Sequence, residues 1–140
     1  MNTTDSISLI SRIREKVNRR LILLLEQEGI KGIAPSHGDI LYALFSKERL
    51  TMADIAKAIG KDKSTVTALI DKLVKLGYVC KERDTEDTRI THVRLTQAGQ
   101  SLKPIFDGIS REVLDMFYGD MSMKERQLLF DLLMKIHNRL

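Results

Sequence analysis

The sequence is poor in the residues that cross-link or interrupt a fold. Its 140 residues include one cysteine, two prolines and eight glycines. A single cysteine, Cys80, cannot form a disulfide within the chain, and so few prolines and glycines leave no flexible linker. No low-complexity tract and no repeat with a period of about 20 to 50 residues is present. We therefore expect one continuously structured domain over residues 1–140.

Sequence signals for a membrane or for export are also missing. Residues 1–11 lack a basic start followed by an apolar core, and no apolar run approaches the roughly 18 residues that a bilayer span requires. We expect a cytoplasmic protein with no membrane partner. Cys80 lies in a β-type run, where a buried or half-buried structural thiol is expected rather than a redox sensor.

The usual patterns of catalytic and metal-binding residues are absent as well. His37, His92 and His137 fall on different predicted elements, and there is no nucleophile–base spacing, glycine-rich phosphate loop or paired-cysteine pattern. The sequence argues against an enzyme and predicts neither a cofactor nor a metal. A metal-responsive regulator remains an alternative, because His37 and acids such as Asp39 could converge in the fold.

Positive charge is concentrated in the middle of the chain. The net charge is +4, and residues 57–94 hold nine Lys and Arg against six Asp and Glu, which is +3 of that excess. Residues 95–140 are neutral, with six basic and six acidic side chains. This asymmetry indicates a local contact with a polyanion.

Apolar residues spaced three and four apart predict helices at the start of the chain. The first helix ends near Gly29. The second opens with a capping box of Ser36 and Asp39 and ends near Lys47.

Two short helices follow. Thr51 and Asp54 form a capping box that opens the first of them, and Gly60 ends it. Asp62 caps the next helix, which stops at Gly77. Only a tight turn separates the two.

After Gly77 the apolar pattern alternates, which predicts a β-hairpin with strands at 78–83 and 90–95 and an exposed tip at 84–88. Thr96 then caps a long helix, which Pro104 and Gly108 are expected to kink. Ser122 and Glu125 form the capping box of a last helix.

Two short helices, a tight turn and a hairpin form a winged helix-turn-helix. The predicted fold class is mainly α with a small β-wing. The second short helix carries a polar stripe of mostly short side chains, which suits entry into the major groove, although an ordinary solvated helix is the alternative. The short side chains could contact bases and the lysines phosphates. The candidate DNA-binding residues of this helix are Lys63, Ser64, Thr65, Thr67, Ala68 and Lys72.

The hairpin tip supplies the other candidates, Arg83, Asp87 and Arg89. Asp87 could hold the Arg89 guanidinium in one orientation, and an oriented arginine can enter a narrow minor groove. Asp84, Glu86 and Asp87 would repel phosphate. The hypothesis therefore requires Arg83 and Arg89 to project beyond these acids.

These motifs resemble the MarR family of bacterial and archaeal regulators. The resemblance spans the chain in element order and is strongest over residues 51–99. The matching residues are Leu50-Thr51, Ile55-Ala56, Ser64-Thr65-Val66-Thr67, Leu73, Gly77, Arg83-Asp84, Asp87-x-Arg89 and Leu95-Thr96-x-x-Gly99. Two residues depart from the family pattern: Thr88 and Ala68 stand where basic residues are frequent.

The resemblance implies a homodimer that represses promoters containing inverted repeats and is released by a small aromatic ligand. It implies a reading unit at about 36–96 and dimerisation helices at about 5–29 and 97–140. The palindromic double-stranded DNA would be contacted by both wings and both reading helices. The implied ligand pocket lies around His37. A winged helix that binds protein instead of DNA remains the second alternative.

Overall fold

The computed structural model describes residues 1–140, which form seven α-helices and a three-stranded antiparallel sheet. The fold is mainly α with a small β-wing, as the sequence predicts. No helix combines the length and the apolar character needed to cross a bilayer. A 3-10 turn at Thr3–Asp5 precedes the elements, which are α1 (Ser6–Gln27), α2 (Pro35–Phe45), β1 (Leu50–Thr51), α3 (Met52–Ile59), α4 (Lys63–Lys75), β2 (Val79–Arg83), β3 (Thr91–Leu95), α5 (Gln97–Gln100), α6 (Lys103–Tyr118) and α7 (Met123–Arg139).

Local capping sets the ends of α3 and α4, as predicted. Thr51 Oγ1 accepts the Asp54 N–H at 3.0 Å, and the Asp54 carboxylate accepts the Thr51 N–H at 3.2 Å. Gly60 ends α3 in the left-handed region at φ 67°, where glycine carries no Cβ penalty. The Asp62 carboxylate accepts the Thr65 N–H at 2.7 Å and starts α4.

The start of α2 differs from the prediction of a capping box at Ser36 and Asp39, which is wrong. The helix begins at Pro35, with Ala34 as the N-cap. Proline suits the first helical position because its φ is already helical and its missing N–H would have no partner there. The His37 ring takes the capping role, since its Nδ1 accepts the Ala34 N–H at 2.9 Å.

The sheet contains one strand more than the predicted hairpin. β3 lies between β2 and the two-residue β1, with Leu50 opposite Val93 and Thr51 opposite His92. Two residues are too few to show an alternating pattern, so the sequence gives no signal for β1. This strand ties the start of α3 to the hairpin.

The single long helix predicted after Thr96 is two helices, α5 and α6. The break lies at Ser101 and Leu102, just before Pro104. Pro104 has no N–H to donate to the carbonyl of Gln100, and its ring would clash with that carbonyl in a continuous helix, which favours a break at this point. Gly108 lies inside α6 without interrupting it.

The inner face of α4 is buried in the hydrophobic core. Val66, Ile70 and Leu73 are at most 1% exposed, and they belong to one cluster with Val79 of β2 and Val93 of β3. Burying a side chain of this size contributes roughly 1.5–3 kcal/mol. This packing fixes which face of α4 points outward.

By contrast, α7 is scarcely covered by its own chain. None of its 17 residues is buried. Arg126 fixes the turn before it, donating to the Met121 carbonyl at 3.1 Å and lying over the Tyr118 ring. The exposed apolar side chains of α7 are Met123, Leu128, Phe130, Leu132, Leu133, Met134 and Ile136.

The backbone at the junction between β3 and α5 packs closely against the residues that precede β2. The Thr96 hydroxyl donates to the Gly77 carbonyl at 2.6 Å, and the same oxygen accepts the Gly99 N–H at 3.1 Å. The Thr96 N–H donates to the Tyr78 carbonyl at 3.0 Å. Gly99 packs directly on that carbonyl, where an added Cβ would overlap the oxygen.

We predict opposite effects for alanine at two helical glycines. Gly99→Ala would force the Tyr78 backbone away and destabilise the fold by about 1–3 kcal/mol. Gly108→Ala has open space around its Cβ and would stabilise α6 by roughly 0.5–1 kcal/mol. Thermal unfolding of both variants measures this. Equal melting temperatures would contradict the close contact at Gly99.

Candidate nucleic-acid interface

The outer face of α4 is a solvent-exposed polar stripe, as predicted. Ser64, Ala68, Asp71 and Lys75 are exposed along it. Thr65 and Thr67 are half-buried at its flanks. Short side chains at these positions leave the helix backbone accessible to the edge of another molecule.

Two hydroxyls of the stripe already have partners for their protons. Ser64 Oγ donates to the Asp62 carboxylate at 2.9 Å, and Thr67 Oγ1 donates to the Lys63 carbonyl at 2.9 Å. With these protons engaged, both oxygens face a ligand as hydrogen-bond acceptors.

The predicted lysines lie at opposite edges of the stripe. Lys63 borders the wing side of α4. Lys72 lies on the other side, with its ammonium 3.6 Å from the position of a Cβ on Gly32, in the loop before α2. Lys81 of β2, which sequence analysis did not select, bonds to Asp71 at 2.8 Å and links the wing to α4.

A basic groove of about 840 Å³ lies between α3, α4 and the wing. Four cationic side chains line it, Lys63, Lys81, Arg83 and Arg89, and no acidic side chain does. The start of α3 contributes to it because β1, which directly precedes this helix, pairs with β3 of the wing. The remaining lining residues are Thr51, Met52, Ala53, Ala56, Thr67, Ile90 and Thr91.

At the wing tip, Asp87 and Arg89 form the bidentate pair that the sequence predicts. The guanidinium Nε and Nη2 each lie 3.0 Å from a carboxylate oxygen of Asp87, and the Arg89 N–H also donates to that carboxylate. The guanidinium and this N–H hold the pKa of Asp87 below its ordinary value. The Arg89 side chain is nevertheless 89% exposed, so a ligand can reach it.

Two of the three acids at the tip are engaged within the wing. One oxygen of Asp84 accepts the N–H of Asp87 at 2.8 Å and of Glu86 at 3.2 Å. The other lies 3.1 Å from His92 Nε2. The Asp87 N–H, followed by His92, lowers the pKa of Asp84. These contacts lower the pKa of Asp84 and Asp87, so both carboxylates stay negatively charged, and only the charge of Asp87 is offset, by the guanidinium of Arg89.

The opposite face of the hairpin has its own ion pair. Arg94 Nε lies 2.6 Å from the Glu82 carboxylate. Cys80, the register partner of Arg94, is half-buried. None of these three residues lines the groove.

A second cavity, of about 240 Å³, lies between α1, α2 and α6. His37 does not line it, since its ring caps α2. No group of three His, Cys, Asp or Glu residues is placed to hold a metal ion, so His37 and Asp39 do not form the metal site considered above. The lining residues are Arg14, Leu21, Leu25, Ala34, Pro35, Gly38, Asp39, Tyr42, Phe106, Ile109, Ser110, Val113 and Leu114.

Comparison with known proteins finds relatives that are transcriptional regulators. The sequence profile of the MarR family matches residues 31–90. The uncharacterised HTH-type transcriptional regulator YdgJ of Bacillus subtilis is 32% identical over 117 residues, which is 81% of this chain and 69% of that protein. The regulator SarZ of Staphylococcus haemolyticus is 32% identical over 87 residues, covering 62% of this chain and 58% of SarZ.

Solved structures share the fold over nearly the whole chain. S. aureus MepR, crystallised as a complex with DNA, superposes with a TM-score of 0.88 at 25% identity, covering 100% of this chain and 99% of MepR. A Cys-to-Ser mutant of E. coli MarR complexed with operator DNA gives a TM-score of 0.83 at 20% identity, covering 97% and 99%.

We predict that the His37 cap makes the fold sensitive to mild acid. Burial, and then the charge of Lys72, lower the pKa of His37 below 6.5. The unfolded chain therefore takes up a proton first, so stability is complete above about pH 6.5 and falls as the pH drops towards the folded-state pKa. His37→Gln keeps an acceptor for the Ala34 N–H without titrating.

The measurement is the melting temperature between pH 7.5 and pH 5. On acidification the melting temperature of the His37→Gln variant should fall less than that of the wild type. The melting temperature of His137→Gln, a change at an exposed position, should fall as much as that of the wild type. Parallel curves for the wild type and His37→Gln would show that the cap does not titrate.

Proposed function

Because this chain belongs to the MarR family of transcriptional regulators, we propose that it is a repressor that binds palindromic double-stranded DNA as a homodimer. The main support for DNA binding is the basic groove, in which four cationic side chains lie between the exposed stripe of α4 and the wing. A regulator rather than an enzyme also agrees with the names of its relatives. A cytoplasmic location follows from the proposed target, chromosomal DNA.

In this proposal α4 lies in the major groove. Ser64, Thr65, Thr67 and Ala68 would face the base edges, because they are short enough to let the helix approach. The engaged protons of Ser64 and Thr67 favour base amino groups, which are donors, as their partners. Ala68 would contact a thymine methyl group. Lys63 and Lys72, at the two edges of α4, would bind phosphates on either side.

The wing would follow the DNA backbone into the adjacent minor groove. Arg89 is the exposed cation at its tip, and Asp87 holds it in one orientation. A narrow minor groove concentrates negative potential and attracts arginine. Arg83 would contact phosphate from within the basic groove.

The proposed dimer is supported by the uncovered surface of α7. Between Leu128 and Ile136 the positions outside the polar residues Asp131 and Lys135 are apolar, and most of them are exposed; Lys124, Gln127 and Asn138 extend the polar stripe towards the two ends. Exposed apolar residues of α1, among them Ile7, Leu9, Ile10 and Ile13, add to this surface. A second copy would cover it and set two reading units, residues 36–96 of each chain, on one duplex.

Effector release remains a prediction from the family resemblance. The cavity between α1, α2 and α6 supports it by position, since it separates the proposed dimerisation helices from the reading unit. Its lining is mostly apolar with one cation, Arg14, and one acid, Asp39, which suits a small aromatic molecule with a polar substituent. Its volume of about 240 Å³ lies below the roughly 300–1,000 Å³ usual for ligand pockets, so only a small molecule would fit.

The groove favours DNA binding over the alternative of a protein-binding winged helix. A DNA complex should weaken steeply between about 50 and 200 mM salt, because binding releases condensed counterions. Fluorescence anisotropy with a duplex from the upstream region of the chain's own gene measures this. Absent or salt-independent binding would favour the protein-binding alternative.

We predict that Arg89→Ala weakens binding to this duplex by about fivefold or more, which is about 1 kcal/mol. The matched control is Arg94→Ala, which removes an arginine from the opposite face of the same hairpin and should change the affinity less than twofold. Both variants should elute as the wild type does in size-exclusion chromatography. Equal losses for the two variants would remove the wing tip from the mechanism.

We predict that Leu133→Lys disrupts the dimer. A charge in the apolar part of α7 would lose the burial that a second copy provides. Analytical ultracentrifugation should show a dissociation constant raised at least tenfold, a shift of about 1.4 kcal/mol. Asn138→Lys, on the polar stripe of the same helix, is the control and should leave the dimer intact. An unchanged mass distribution for Leu133→Lys would exclude this surface.

A further inference from the structure

His92 makes a contact within the wing that the proposed function does not use. It lies on β3, on the face opposite to Thr91 and Val93, and its side chain is only 14% exposed. Its Nε2 lies 3.1 Å from the Asp84 carboxylate, which belongs to the loop that closes the hairpin. An imidazole with Nε2–H donates to this carboxylate in its neutral tautomer and in its protonated form.

From Asp84, hydrogen bonds continue to the exposed arginine. The second carboxylate oxygen of Asp84 accepts the Asp87 N–H at 2.8 Å. The loop is also closed by backbone bonds from Asp84 to Ile90 at 2.9 Å and from Ile90 to Asp87 at 3.0 Å. Asp87 then holds Arg89 through two guanidinium nitrogens.

The other charged groups facing His92 are engaged elsewhere. Glu82, the register partner of His92 on β2, is paired with Arg94 of the same β3 face at 2.6 Å. Asp54 of α3 accepts a backbone N–H in the capping box of that helix. Asp84 is therefore the carboxylate to which the His92 ring is bonded, and His92 is its side-chain partner.

We propose that His92 is a positioning residue for DNA binding, which holds Asp84 so that the wing tip presents Arg89 in one orientation. The inference rests on the proposed function, because it assigns Arg89 to the DNA. An exposed arginine without such a partner would sample many rotamers, and restricting them before binding reduces the entropy lost in the complex. His92 acts on this through the loop, without touching the duplex.

The test compares two replacements of His92 in the full-length protein. His92→Leu fills the site but removes the donor, whereas His92→Gln keeps an N–H donor at similar reach. We expect His92→Leu to weaken binding to the upstream duplex about threefold to tenfold, and His92→Gln to restore the affinity to within about twofold of the wild type. Anisotropy titrations at fixed salt measure both.

A double-mutant cycle separates positioning from a general effect on the wing. In an Arg89→Ala background, His92→Leu should cause no further loss, because the group that it positions is gone. In an Arg83→Ala background, it should keep its full effect. Additive losses with Arg89→Ala, or equal losses for the Leu and Gln variants, would overturn the proposal.

Circular dichroism and size-exclusion chromatography establish that each variant is folded and assembled as the wild type is. If His92→Leu does not fold, His92→Phe replaces it in the same cycle, since it keeps a ring and lacks the donor. A wild-type protein without salt-dependent affinity for DNA would refute the proposed function. Failure of the cycle with an intact wild-type affinity would refute only the role of His92.

Discussion

The burial of one face of α4 determines where the other residues of the candidate site lie. One hydrophobic core joins the helix to the sheet, because it contains Val66, Ile70 and Leu73 of α4 together with Val79 and Val93 of the strands. The polar stripe points outward because the opposite face of α4 is buried. The groove beside it follows from the same packing, which sets the hairpin against the helix. The surface bridge between Lys81 and Asp71 reinforces this arrangement only weakly.

Features that depend on residues a few positions apart were predictable from the sequence. The boxes of Thr51 with Asp54 and of Ser122 with Glu125 form as expected, because each requires only one turn of helix. The start of α2 was predicted wrongly, since proline at the first helical position outweighed the pattern at Ser36. The strand β1 pairs across more than 40 residues, and its two residues carry no pattern of their own.

In the candidate site, too, local contacts were predictable and contacts between distant residues were not. The pair of Asp87 and Arg89 is local, and the sequence indicates it correctly. The partner of Asp84, one of the acids at the wing tip, was not predictable. Asp84 is bonded to His92, eight residues away on the next strand, and only the register of the hairpin brings them together. The contribution of α3 to the groove is likewise a result of tertiary packing.

The bare surface of α7 has a consequence for the amount of active protein in a cell. A 17-residue helix with no buried residue gains little from packing and is only marginally stable in water, so a lone copy of this chain would carry a partly melted end. If the proposed homodimer forms through this surface, pairing and complete folding become one equilibrium governed by mass action. The quantity of operator-competent protein would rise more steeply than the number of chains synthesised, and scarce, unpaired chains would be the ones most open to proteases.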